Sequence, residues 1–346
     1  MKTALRALFL FCLTTPAFAA ESPVGFKTAA LPDPAQSRPL ELAVWYPATT
    51  TAKPELIADN AVFVGALGVP DAPPAAGEHP LVVLSHGYGG NWGKQVWLAS
   101  ALAHQGYIVA AVNHPGTTTK DRSPQAAAQL WQRPADLSRA IDAVLAKPEQ
   151  FGAVAKNRIA AIGHSLGGWT VLEIGGARFD PELFSRDCNA HPKLGGCIGY
   201  HEMNPASTPA GKAQLAADLS DKRVTAIVSL DLGLSRGFTD ASLAALPVPA
   251  LVIAGGVPTD DMDPNLESAH MVKRMPKAST QYVEIGDATH FSFMPICKPG
   301  AVALIEESSP GDGMICRDGE GARPRAVIQQ QIIELISGFL SRATPK

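Results

Sequence analysis

The sequence predicts an α/β fold, a mostly parallel central sheet flanked by helices and carrying a cap-like insertion. Three observations point there. Short apolar runs alternate with longer stretches of helical spacing along most of the chain. Most of the short runs are continuously apolar, as strands covered on both faces are. A long interruption, 178–223, breaks the rhythm and holds two cysteines.

Taken in order, the chain opens with Lys2 and Arg6, continues through the apolar stretch Ala7–Leu13 and exits on Ala17-Phe18-Ala19. That pattern predicts a cleavable secretory signal peptide over 1–20, a mature domain over 21–346, and a secreted or periplasmic product. The apolar stretch falls short of the roughly 20 residues a spanning helix needs, so no stable membrane anchor is expected. Cys12 should leave with the peptide, and Cys188, Cys197, Cys297 and Cys316 remain. An even number in an exported chain suggests disulfides, and proximity favours Cys188 with Cys197 and Cys297 with Cys316.

The strand-like runs are Leu40–Tyr46, Leu81–Ser85, Tyr107–Asn113, Arg158–Gly163, Val224–Leu230, Ala250–Gly255 and Gln281–Ile285. Helical spacing covers Trp92–Gln105, Arg133–Lys147, Leu166–Arg178, Pro264–Met275 and Ala326–Arg342, each a candidate crossover. The Ala- and Pro-rich Thr49–Gly77 reads as surface loop. The 178–223 stretch, placed directly after the helix that follows Ser165, reads as a cap over the site. A formal net charge of -3 with singly scattered Lys and Arg gives no stripe to track phosphates, which excludes nucleic acid as an expected partner.

Gly163-His164-Ser165-Leu166-Gly167 fits Gly-x-Ser-x-Gly. The pattern alone is weak. Its context is stronger, because a buried strand precedes it and a helix follows, the arrangement of a nucleophile elbow. Side chains at Gly163 or Gly167 would collide with backbone in so sharp a turn. A serine hydroxyl needs a base, and in a strand-turn-helix fold of this kind the base comes late. Only His270 and His290 lie beyond position 201. His270 falls in a helical stretch, whereas His290 follows the last short strand, where it can hang over the strand ends. The acid that fixes the imidazole tautomer has rivals: Asp231 ends one strand, and Asp260, Asp261 and Asp263 follow the next. Oxyanion donors are expected from the backbone of Tyr88, in Ser85-His86-Gly87-Tyr88-Gly89-Gly90, and of Leu166 at the start of a helix.

These residues resemble the platelet-activating-factor acetylhydrolase and predicted dienelactone hydrolase-like branch of the α/β-hydrolases, over most of the mature chain. The resemblance is carried by Gly25-Phe26-Lys27, Val44-Trp45-Tyr46-Pro47, the run from Leu81 to Gly89, the run from Ile108 to His114, and Gly163-His164-Ser165-Leu166-Gly167-Gly168. It implies the α/β-hydrolase fold and oxyanion donors at Tyr88 and Leu166. The acetylhydrolases place the acid in a segment similar to Val228-Ser229-Leu230-Asp231, which implies Asp231; other members of the branch imply Asp260 or Asp261. Asp231 is preferred, because an acid at a strand end is anchored to orient the base. Ser165 stands where the dienelactone hydrolases proper carry a cysteine.

The expected function is hydrolysis of a small-molecule or lipid-like carboxylic ester by Ser165, His290 and Asp231, with no cofactor and no metal. His86, His114, His191 and His201 lack the spacing of metal ligands and read as polar loop histidines. His164 and Trp169 are expected to pack the elbow. An amidase or peptidase on the same triad, or a binding protein on a hydrolase scaffold, are the alternatives. The oligomeric state is not legible.

Overall fold

The computed structural model describes residues 23–31, 33, 38–259 and 261–344. The predicted leader and Asp260 lie outside the described residues. The strands are β1 (Val24–Leu31), β2 (Leu40–Pro47), β3 (Glu55–Ile57), β4 (Ala66–Pro70), β5 (Glu78–Ser85), β6 (Ile108–Asn113), β7 (Ala153–His164), β8 (Val224–Leu230), β9 (Ala250–Gly255) and β10 (Thr280–Ile285). They form one sheet in the order β10-β9-β8-β7-β5-β6-β2-β1-β4-β3. From β6 through β5, β7, β8 and β9 to β10 every pairing is parallel, while β2 runs antiparallel to both β6 and β1.

The helices are α1 (Val96–His104), α2 (Pro124–Ala127), α3 (Gln132–Leu145), α4 (Pro148–Phe151), α5 (Leu166–Gly175), α6 (Pro181–Ala190), α7 (Gly195–Met203), α8 (Pro209–Leu215), α9 (Asp240–Ala244), α10 (Ser268–Val272), α11 (Ala301–Ser308) and α12 (Arg325–Ala343). The sheet is apolar on both faces, and alternate residues of one strand enter different cores. Leu81 and Val83 of β5 pack in a core with α3 and α5, whereas Val82 and Leu84 pack in another with α1 and α12. This two-sided cover explains why the strands read as continuous apolar runs.

The structure departs from the sequence reading in three places. Thr49–Gly77 contains β3 and β4, and β4 pairs in parallel with β1 through Gly25–Val69 and Phe26–Pro70. Strands so short leave no periodicity to read. The 178–223 stretch is three helices rather than open loop, and Phe184, Cys188, Leu194, Cys197, Tyr200, Met203 and Leu215 bury into the core shared with α3 and α5. Two of its helices begin on a side-chain cap followed by Pro: Asp180 accepts from the Glu182 and Leu183 amides ahead of Pro181, and Thr208 from the Gly211 amide ahead of Pro209. Finally, Pro264–Met275 is helical only over α10, since the Asp263 carboxylate accepts from the Asn265 amide and holds a turn there.

The disulfides Cys188–Cys197 and Cys297–Cys316 are both formed. One joins α6 to α7; the other ties the segment after His290 to the approach to α12. Among the described residues no helix is long and apolar enough to cross a membrane.

Candidate active site

Parallel strands bring their carboxyl ends to one edge, and the site is assembled there. Ser165 follows β7 and precedes α5 with φ 57° and ψ -120°, a strained conformation for a residue with a side chain. The two glycines make the turn possible. A Cβ on Gly163 would lie 2.0 Å from the Gly167 carbonyl oxygen, and one on Gly167 1.9 Å from that of Ser85. In β8, Leu230 is in register with His164 of β7, and its carbonyl accepts from the Ser165 amide at 2.9 Å. Ser165 and Asp231 therefore leave neighbouring strands at the same level.

Asp231 is 2% exposed and held on two sides. Its amide donates to Ile253 O at 2.7 Å, and its Oδ1 accepts from the Gly255 amide at 2.8 Å. The remaining oxygen, Oδ2, accepts from His290 Nδ1 at 2.6 Å. His290 begins a single helical turn after β10, closed by Thr289 and Ser292 bonding each other's backbone. With Nδ1–H directed at the carboxylate, Nε2 is left to accept a proton. Asp261 is not at this site: its carboxylate accepts from the Thr259 hydroxyl at 2.6 Å, and its carbonyl from the Gly195 amide.

His164 and Trp169 are both buried, His164 against His290 and Phe293 and Trp169 against Phe179. The His164 ring lies 4.7 Å from that of His290, and its Nε2–H donates to the His290 carbonyl at 3.0 Å. Burial, reinforced by the neighbouring His290, holds its pKa well below the ordinary histidine value, so it stays neutral beside the second imidazole.

The loop after β5 lies against the serine, since a Cβ on Gly87 would approach Ser165 Oγ to 3.5 Å. Three of its carbonyls are bonded within the loop or to Thr119. Gly87 O accepts from His86 Nδ1 and the Gly90 amide, Gly89 O from the Thr119 hydroxyl, and Gly90 O from the Thr119 amide. Among the described residues the Tyr88 amide donates to no backbone carbonyl, and Leu166, first in α5, is one of the amides a helix start leaves free. The Arg122 guanidinium lies 5.3 Å from the Tyr88 ring centroid, and burial, together with Glu202 of α7 near its hydroxyl, raises the Tyr88 pKa. The 178–223 stretch thus reaches the edge of the site.

Two of the histidines read as polar loop residues do follow strand ends, but they are buried. His86 and His114 are 1% and 0% exposed. His114 Nε2 accepts from the Ser85 hydroxyl at 3.0 Å, and its Nδ1–H donates to Asp136 Oδ2 at 2.9 Å. This second Ser–His–Asp chain is wholly buried, with Ser85 at 0% and Asp136 at 1%, so no substrate reaches its hydroxyl. Asp136 is also clasped by Arg38 through two bonds of 2.8 and 2.7 Å, and burial keeps His114 well below the usual histidine pKa. Nothing in the spacing of Ser85, His114 and Asp136 announces this network. His270 is half-buried against Arg236, which bonds its Nδ1 at 3.0 Å.

No curated protein matches the sequence. Among solved structures, a ferulic acid esterase from Streptomyces cinnamoneus shares the fold, with a TM-score of 0.63 at 21% identity over 96% of this chain and 92% of that one. The alpha/beta hydrolase family matches residues 82–303, which span β5 to α11 and contain Ser165, Asp231 and His290. On that match, over well more than half its length, the chain belongs to the alpha/beta hydrolase family.

Proposed function

We propose that the protein is a serine hydrolase of carboxylic esters, in which Ser165 is the nucleophile, His290 the general base and Asp231 the triad acid. The observation that carries the reading is the 2.6 Å bond from His290 Nδ1 to Asp231, beside a serine held at a strained strand-to-helix turn. Ser165 Oγ attacks the ester carbonyl carbon as its proton passes to His290 Nε2, and the amides of Tyr88 and Leu166 receive the charge that develops on the carbonyl oxygen. Collapse breaks the bond to the alkoxy oxygen, which leaves as the alcohol with the proton from His290. Water, deprotonated by the same nitrogen, then releases the acid and restores Ser165.

Asp231 is also the position that the acetylhydrolase branch implies, which supports placement in that branch. We further propose that the 178–223 helices cap the site, a reading supported by Glu202 beside Tyr88. Export through the 1–20 leader is supported by two disulfides, which persist in oxidising compartments. The test is hydrolysis of p-nitrophenyl esters of increasing acyl length by wild type and Ser165→Ala, with a fluorophosphonate label mapped by mass spectrometry. Serine-dependent turnover and a label on Ser165 are expected. A label on Ser85, or turnover that survives Ser165→Ala, rejects the assignment.

A further inference from the structure

We infer that Arg133 is a positioning residue for the oxyanion hole, locking the loop that carries Tyr88 to the helix that carries Leu166. The inference rests on the esterase reading above. Arg133, in α3, is 1% exposed, and among the described residues no carboxylate lies within ion-pair distance of it. Its planar fork instead meets four acceptors from three separate segments. Nε donates to the Thr170 hydroxyl at 2.9 Å, Nη1 to the Thr117 hydroxyl at 2.6 Å, and Nη2 to the Ser85 hydroxyl at 3.2 Å and to the His86 carbonyl.

Each arm ends close to one of the two expected donors. His86 lies two residues before Tyr88 in the chain. Thr117, through its carbonyl, holds the Gly89 amide at 2.9 Å on the other side of Tyr88. Thr170 sits one turn along α5 and donates its hydroxyl to Leu166 O at 3.1 Å. A single rigid group therefore spans both halves of the hole. Such a hole works only when its donors stand about 2.7–3.1 Å from the developing oxyanion.

The buried Ser85–His114–Asp136 chain acquires a role in this arrangement. Neutral His114, its Nδ1–H committed to Asp136, takes the Ser85 hydroxyl proton as acceptor, which turns the Ser85 lone pairs toward Arg133. Arg38 anchors the far end of the chain on Asp136. Burial presses the Arg133 pKa down to about 9, which leaves the guanidinium protonated at neutral pH.

The experiment compares wild type with Arg133→Lys, which keeps a charge without the fork, and Thr170→Val, which cuts the arm to α5. Turnover of p-nitrophenyl butyrate is measured per active site, with the sites counted by stoichiometric fluorophosphonate labelling, alongside thermal melts and inhibition by phenylboronic acid, whose tetrahedral serine adduct places an oxygen in the hole. For Arg133→Lys we expect kcat to fall about 100-fold with KM within about threefold, and boronate affinity to weaken in parallel. For Thr170→Val we expect a fall of about 10-fold. A purely structural role would lower the melting temperature and the number of labelled sites while leaving kcat per site and boronate affinity at wild-type values. That result overturns the inference. Should Arg133→Lys fail to fold, Thr170→Val decides alone on the same criteria. Absence of Ser165-dependent turnover in the wild type rejects the esterase reading, and this inference with it; active wild type with unaffected variants rejects the inference only.

Discussion

Replacing Asp231 with Asn tests the proposed triad acid at the oxygen that meets His290. One oxygen of Asp231 accepts from the Gly255 amide at 2.8 Å and the other from His290 Nδ1 at 2.6 Å. An asparagine must keep its oxygen toward Gly255, because its NH2 group there would face another donor. The NH2 group then points at His290 Nδ1, which can remain bonded only by giving up its proton and accepting. The imidazole carries its hydrogen on Nε2 instead, the nitrogen that has to take the proton from Ser165. The side chain is isosteric and the strand end stays bonded through Ile253 O, so the fold and KM should hardly change. A triad locked in the wrong tautomer loses on the order of 10⁴ in kcat, equivalent to about 5.5 kcal/mol of transition-state stabilisation. The assay is kcat and KM for p-nitrophenyl butyrate near neutral pH, with a thermal melt as control. Asp231→Asn retaining more than about a tenth of wild-type kcat would refute the tautomer argument. Asp261→Asn should stay within about threefold of wild type, since that carboxylate bonds Thr259 rather than an imidazole.

Three further outcomes are expected. Gly163→Ala puts a Cβ 2.0 Å from the Gly167 carbonyl, against backbone that cannot swing aside, and should cost about 3 kcal/mol or prevent soluble folding, read by urea denaturation. Joint replacement of Cys297 and Cys316 by Ala opens a bridge between residues 19 apart and should lower stability by about 3 kcal/mol. It should also reduce activity at temperatures below global melting, because Asp318, two residues beyond Cys316, accepts from Ser292 in the His290 turn at 2.6 Å. Glu267 is buried with its carboxylate on the Ser235 amide, and burial pushes its pKa up from 4.5 to about 7. A raised folded-state pKa means that its contribution is complete below about 4.5 and is lost as pH rises through 7, about 3 kcal/mol at most. Glu267→Gln should flatten that slope in urea midpoints taken across the interval; an unchanged slope would assign the titration to other groups.

The elbow, the late histidine and the strand-end aspartate were legible because each is local. Gly163 and Gly167 flank Ser165 at fixed spacing, and the buried strands β5 to β9 announce themselves by apolar runs that need no partner to be recognised. The disulfide pairing was legible for a similar reason, since short loops favour neighbouring cysteines. The 178–223 helices were hidden because the same Pro and Asp residues that mark turns also start helices, and only burial of Phe184, Tyr200 and Met203 decides between them.

Position in sequence alone determined that this chain carries a glycine-flanked serine, a strand-end aspartate and a late histidine, in that order, on a mostly parallel sheet. Which acid meets His290 was decided by tertiary structure, through the register of β8 with β7 and β9 that lifts Asp231 to the level of Ser165. The Arg133 fork and the buried Ser85–His114–Asp136 chain belong wholly to that second level. Their members lie 22 to 48 residues from the groups they bond, or closer across a loop as with Thr117, and a hydrogen bond between distant segments leaves no periodic trace in the chain. Such bonds exist only once the helices have excluded water and each buried donor has had to find an acceptor.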